Sequence, residues 1–157
     1  MDGQERQRLQ TIAAYQFGAG AGTTLFPDDE TLSVLRTSSG RPQQISAATG
    51  ERLVSYGVDG RFTLGIAGGR RLLGALGGPA VAVGTESIPF VTEGKNAFAK
   101  FVQRVDPAVR PGDEVLVTCD ESLLAVGRAE LDAEAMDAFE TGVAVSVRAG
   151  NPDVRAD

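Results

Sequence analysis

The sequence predicts an α+β protein, a small helix-led unit followed by a small mixed barrel. Three observations carry that expectation. One segment near the N-terminus has helical spacing: Leu9, Ile12 and Ala13 fall at i, i+3 and i+4 within residues 4–15. The remainder breaks into short apolar runs punctuated by Gly and Pro, 27 of 157 residues together, which suits short strands joined by tight turns. Asp59-Gly60 stands between the runs 53–58 and 62–66. Both turn residues tolerate positive φ, so this is the strongest hairpin signal in the chain.

Taken in order, the helix at 4–15 ends at Gly18-Ala19-Gly20-Ala21-Gly22, which begins a loop. This Gly-x-Gly-x-Gly lacks the Lys-Ser/Thr of a phosphate-binding loop and follows a helix instead of joining a strand to one. Close backbone approach is therefore the better reading than nucleotide binding. Short strands are expected at 32–36 and 44–47 around Ser38-Ser39-Gly40, then the Asp-Gly hairpin, then a short helix at 70–76. Gly77-Gly78-Pro79 closes that helix and marks a domain boundary, giving domains at 1–79 and 80–152 with a tail at 153–157. The second half reads as a strand at 80–83, a helix at 95–105, strands at 114–118 and 124–131, a short helix at 133–139 and a strand at 143–148. Asp106-Pro107 stops the longer helix, because Pro restricts the residue before it and cannot continue the ladder. Several short strands with one or two helices fit a small mixed barrel. Tyr15 and Phe17 are expected in the core. Cys119, beside an apolar strand, reads as a small buried hydrophobe.

Composition narrows the function. With 42% apolar and 23% charged residues the chain is an ordinary globular one. No run approaches the ~18 apolar residues of a membrane span, and the polar start Met1-Asp2-Gly3-Gln4-Glu5-Arg6 has no secretory h-region. A single Cys rules out an internal disulfide and fits a reducing, cytoplasmic setting. Histidine is absent. Ser–His and Cys–His nucleophiles are therefore excluded, and an ordinary tetrahedral zinc site has no ligand set. Asp28-Asp29-Glu30 reads as a solvated loop, since three consecutive carboxylates converge poorly on one ion. The expectation is a protein without catalytic residues, metal or other cofactor.

Net charge is −6, unevenly spread: residues 1–79 carry eight Arg and seven acids, residues 80–157 seven Lys/Arg and fourteen acids. Two Lys against thirteen Arg, with an acid excess, suits a cytoplasm of high salt. Within the acidic half lies the acid-free stretch 94–105, holding Lys95, Lys100 and Arg104. Read as a helix, it places Phe98, Phe101, Val102 and Val105 on one stripe, with Lys100 and Arg104 opposite. Gly94 at its start would let a phosphate approach unpaired backbone amides. The same spacing describes a solvated helix face, and spacing alone favours that reading. Arg70-Arg71 is open to the same two readings.

The run Pro89-Phe90-Val91-Thr92-Glu93-Gly94-Lys95-Asn96-Ala97-Phe98-Ala99-Lys100-Phe101-Val102 resembles the opening of the PUA domain, especially that of archaeal tRNA-guanine (archaeosine) transglycosylases. Asp106-Pro107, Arg110-Pro111-Gly112-Asp113-Glu114-Val115 and Ala125-Val126-Gly127-Arg128-Ala129 follow in that domain's order, and Gly142-Val143-Ala144-Val145 would be its closing strand. The first half resembles the small α+β domain preceding PUA in those enzymes, through Ala14-Tyr15-Gln16-Phe17-Gly18, Gly20-Ala21-Gly22, Leu25-Phe26, Ser39-Gly40-Arg41 and Asp59-Gly60-Arg61-Phe62-Thr63-Leu64.

The resemblance implies a PUA-type β-barrel with short helices behind a small α+β domain. It also implies the RNA-handling tail of such an enzyme without its catalytic barrel. As function it implies recognition of structured RNA, tRNA foremost, in support of an RNA-modification enzyme; the alternative is a protein-interaction subunit whose main contact is a catalytic tRNA-modifying chain. No membrane is implied as a partner. By position, Gly94, Lys95, Asn96, Lys100 and Arg104 would face RNA, Arg128 lies on a matching strand, and Phe90 would stack on a base. For Phe90, alternation between Ile88 and Val91 supports a core position equally.

Overall fold

A computed structural model describes residues 1–154. They form two compact units, the first Met1–Leu76 and the second beginning at Gly77.

In the first unit, Asp2 caps helix α1 (Gly3–Phe17), its Oδ1 accepting the Glu5 N–H at 2.8 Å. Helix α2 (Ala21–Leu25) follows, then strands β1 (Ser33–Arg36), β2 (Pro42–Ser46), β3 (Arg52–Tyr56) and β4 (Phe62–Leu64), and helix α3 (Ile66–Leu76). The strands form one antiparallel sheet in the order β1-β2-β3-β4. Its three hairpins use the same turn. Thr37, Ala47 and Gly57 each donate an N–H to the carbonyl four residues on, at 2.8 Å. Gly40, Gly50 and Gly60 occupy the same turn position at φ 88°, 93° and 79°. A glycine every ten residues thus sets the meander, because that position is left-handed. The inward row Val34–Ile45–Val54–Leu64 meets the helices, and Phe62 packs edge-on against Phe26 with ring centroids 5.5 Å apart.

Three expectations change here. The stretch after Gly18 is a turn that re-enters a helix, and Gly22 is buried where α2 meets α1. A Cβ there would stand 2.3 Å from the Gln10 carbonyl oxygen, so the glycines serve close packing. Tyr15 is not in the core but 89% exposed, because α1 turns Leu9 and Ala13 inward and leaves Tyr15 on the opposite face; Phe17 is half-buried. Nor is Arg71 a free surface cation. It pairs bidentately with Glu30, at 2.7 and 2.9 Å.

The second unit contains β5 (Ala80–Val83), a 3₁₀ turn (Thr85–Ser87), α4 (Ile88–Val91), β6 (Ala97–Phe98), a second 3₁₀ turn (Ala99–Phe101), β7 (Val102–Val105), β8 (Glu114–Cys119), β9 (Ser122–Ala129), α5 (Ala133–Ala138) and β10 (Val143–Gly150). Strand order is β6-β10-β9-β8-β5-β7, antiparallel except for the parallel pair β5/β8. The two end strands, β6 and β7, are joined by a three-residue turn. The sheet must therefore curl until its ends meet, which makes the PUA-type half-barrel. Val81, Val83, Val115, Val117, Leu124 and Val145 fill it, with Met136 of α5 and Val91 of α4. Val154 packs against this core, so the segment after β10 is docked through that residue. The rest of the expected tail, 155–157, lies outside the described residues.

The largest correction concerns residues 95–105, which are not a helix. The expected stripe assumed that the large apolar residues point inward. Instead the segment is a two-residue strand, a 3₁₀ turn and a further strand, with Ala97 and Ala99 buried while Phe98 and Lys100 are exposed. Small alanines fit the closed end of the barrel, and the phenylalanine is left outside. The helix of this region lies upstream, at Ile88–Val91, and Gly94 (φ 94°) closes the turn that leaves it. Gly94 N–H donates to Val91 O and Lys95 N–H to Phe90 O, both at 3.0 Å. Of the amides expected to cradle a phosphate, those of Gly94 and Lys95 are already engaged.

Candidate nucleic-acid interface

A groove of about 490 Å³ opens on the second unit where α4, β6 and the turn 99–101 meet the link between α5 and β10. It gathers Phe90, Lys95, Asn96 and Lys100 from the expected site. Phe90 is 54% exposed, which removes its core reading, and the Lys95 ammonium lies 5.7 Å from its ring centroid. Lys100 holds its ammonium 5.0 Å from the Phe101 ring centroid. Such placements over ring faces are attractive. They also hold two cations beside exposed aromatic surface.

Asn96 has a structural task as well. Its Oδ1 accepts the Val147 N–H at 3.1 Å, tying the start of the short β6 to β10. Gly94 shapes the turn between Phe90 and Lys95. The two arginines are not brought into the groove. Arg104 is exposed on β7, opposite Ala82 of β5. Arg128 is on β9, with its guanidinium 3.0 Å from Glu130. That guanidinium, and then the Ser146 hydroxyl, hold the Glu130 carboxyl below its ordinary range.

Sequence reasoning missed Ser87, Phe98, Phe101 and Glu140, which also line the groove. The readable signal was the alternation Ala97-Phe98-Ala99-Lys100. Glu140 arrives from a distant segment: Ala99 N–H donates to Gly142 O at 2.9 Å and pins that link beside the turn. Among the described residues no cluster of three or more His, Cys, Asp or Glu could hold a metal ion, and no helix is long and apolar enough to cross a membrane. Cys119 is buried, and burial, followed by the neighbouring Asp120, pushes its thiol pKa up, away from a reactive thiolate.

Residues 7–79 match the patch-forming domain C2 of tRNA-guanine transglycosylase, and residues 79–150 match the PUA domain. The second unit is a PUA domain. The whole chain is similar to the tRNA-guanine(15) transglycosylase of Thermococcus kodakarensis, 41% identical over 152 residues, covering 94% of this chain and 26% of the relative. It is likewise similar to that of Pyrococcus furiosus, 43% identical over 146 residues, covering 90% and 24%. The chain therefore spans about a quarter of the length of these curated relatives. The fold is also that of a PUA domain structure from Aeropyrum pernix K1, at a TM-score of 0.70 and 21% identity, covering 98% of this chain and 85% of that one. In the PUA unit the groove lies along the segment, residues 89–102, that resembles the domain's opening.

Proposed function

We propose that this protein binds structured RNA through the groove of its PUA unit, with tRNA as the RNA and a catalytic tRNA-modifying chain as the setting in which it works. The observation that carries the reading is the pairing of cations with exposed or partly exposed rings in an otherwise acidic unit. Lys95 and Lys100 stand over Phe90 and Phe101, and Phe98 is exposed beside them. Phosphates need cations, and unstacked bases need flat apolar faces. A chain of net charge −6 repels RNA at long range, so binding has to come from short-range contacts of this kind. Phe90, Lys95 and Lys100 touch the RNA in this reading, Asn96 and Gly94 shape the wall, and Arg104 and Arg128 meet outlying phosphates. The names of the transglycosylase relatives support tRNA and its modification as the context. No catalytic step is assigned to this chain.

The test is a titration of labelled tRNA with the full chain, read by fluorescence anisotropy. Saturable binding is expected, weakened at least roughly tenfold in Lys95→Glu/Lys100→Glu, since like charges now face phosphate. Unchanged binding by that variant contradicts the reading.

A further inference from the structure

The sheet of the first unit has two edges, and only one is closed. At β4 the Gln16 amide lies along the edge like a further strand: Nε2 donates to Phe62 O at 2.8 Å, and Oε1 accepts the Phe62 N–H at 2.7 Å. Among the described residues no side chain does the same for β1 at the other edge. Thr37 donates its N–H to Arg41 O on the β2 side. Alternate residues of an antiparallel strand turn to the same neighbour, so Leu35 and Ser33 also bond toward β2, and the backbone groups of Val34 and Arg36 point outward. The register shift here falls on β2, which takes Gln43 as its extra residue, so β1 keeps this alternation. Ser33, Leu35 and Arg36 are exposed, Leu35 by 56%. An open edge of this kind is a template for another strand.

The residues around it narrow what that strand can be. The stretch 31–50 holds no carboxylate, in a chain of net charge −6, and Arg36 is held by Glu5 at 2.7 Å. A highly charged partner finds little here to select it, whereas two acidic copies repel each other least where neither carries an acid. The strand also matches itself. Turned about a two-fold axis through Leu35, two copies of β1 run antiparallel. Val34 of each then exchanges N–H···O bonds with Arg36 of the other, and the two exposed Leu35 side chains meet on the outer face. We propose that β1 pairs with β1 of a second copy of this chain, so that two four-stranded sheets continue as one. This stands apart from the RNA-binding reading above.

The experiment is sedimentation velocity of the full chain at low and high potassium chloride. Concentrations reach about 1 mM, because so short an edge belongs with the smallest interfaces. A reversible dimer is expected, stronger at high salt, since salt screens the repulsion between two acidic chains. Leu35→Lys sets like charges opposite each other on the axis and should weaken the dimer at least roughly tenfold, with the melting temperature unchanged. Leu35→Cys should form a disulfide-linked dimer on mild oxidation, since Cβ atoms opposed in this way lie about 4.5 Å apart. Ser33→Cys, which would face Thr37, should not, and the native Cys119 is buried. A chain that stays monomeric at every concentration and salt overturns the proposal. So does a dimer that folded Leu35→Lys leaves intact, or one in which Ser33→Cys crosslinks as readily as Leu35→Cys. Should Leu35→Lys fail to fold, the two cysteine variants decide.

Discussion

The ammonium of Lys100 sits 5.0 Å from the centroid of Phe101, its neighbour in sequence, because the 3₁₀ turn at Ala99–Phe101 folds the two side chains to one side of the barrel's closing corner. With Lys95 over Phe90, this makes two cations among the described residues that line the groove, to which, on the reading above, Arg104 and Arg128 add outlying phosphate contacts. Few phosphates are then neutralised. The affinity for RNA should fall with salt at a slope of roughly two to three in log–log units, shallow for an RNA binder. A titration series from low to high potassium chloride measures it. A slope of six or more, by the same relation, would require a broad basic surface that this groove lacks.

Among the described residues, Glu140 is the acid that lines the groove. Replacing it by Gln removes a charge that opposes phosphate, so Glu140→Gln should strengthen RNA binding about two- to threefold, and more at low salt than at high. Weaker binding by this variant would mean that the carboxylate itself accepts a hydrogen bond from the RNA.

The β8–β9 hairpin turns on Asp120 and Glu121, both in the left-handed region at φ 48° and 68°. Glu pays a steric penalty there that Gly does not. Glu121→Gly makes an Asp-Gly turn of the type this hairpin prefers and should stabilise the protein by roughly 0.5–1 kcal/mol. Chemical denaturation reads the change.

In the first unit, the Arg71 guanidinium hydrogen-bonded to Glu30, and after it the Ala48 N–H, hold the Glu30 carboxyl below its ordinary value of 4.5. A lowered folded-state pKa contributes stability that is present above the unfolded value and lost as pH falls through the folded one. Arg71→Gln should therefore cost roughly 0.5–1 kcal/mol near neutrality. The difference from the parent should shrink as pH drops below about 4.5. A penalty that stays constant into acid would assign Arg71 to packing, through its stem and its bond to Leu25 O.

What could be read ahead of the structure depended on how local the cause was. The α1 stripe of Leu9 and Ala13 and the Asp59-Gly60 turn are determined by neighbouring residues, and both stand as expected. The ten-residue spacing of Gly40, Gly50 and Gly60 was equally local but passed unread, because only one of the three turns carries an Asp-Gly pair. Residues 95–105 misled for a different reason. Helical spacing of large apolar residues competed with the alternation of buried alanines, and closure of the barrel decided for the latter. Within the site, Phe90, Lys95, Asn96 and Lys100 are near one another in sequence and were legible through the resemblance. Glu140 was not, since it reaches the groove only through the contact of Gly142 O with Ala99 N–H. Ser87 gave no signal, because a lone serine becomes informative only once its burial is known.

The most direct test of where RNA sits is photocrosslinking of tRNA carrying 4-thiouridine to the full chain, with the linked peptides identified by mass spectrometry. The account predicts crosslinks within residues 87–101, centred on Phe90, Phe98 and Phe101, and their loss in Lys95→Glu/Lys100→Glu. Crosslinks confined to residues 1–76, unchanged by that double reversal, would contradict it.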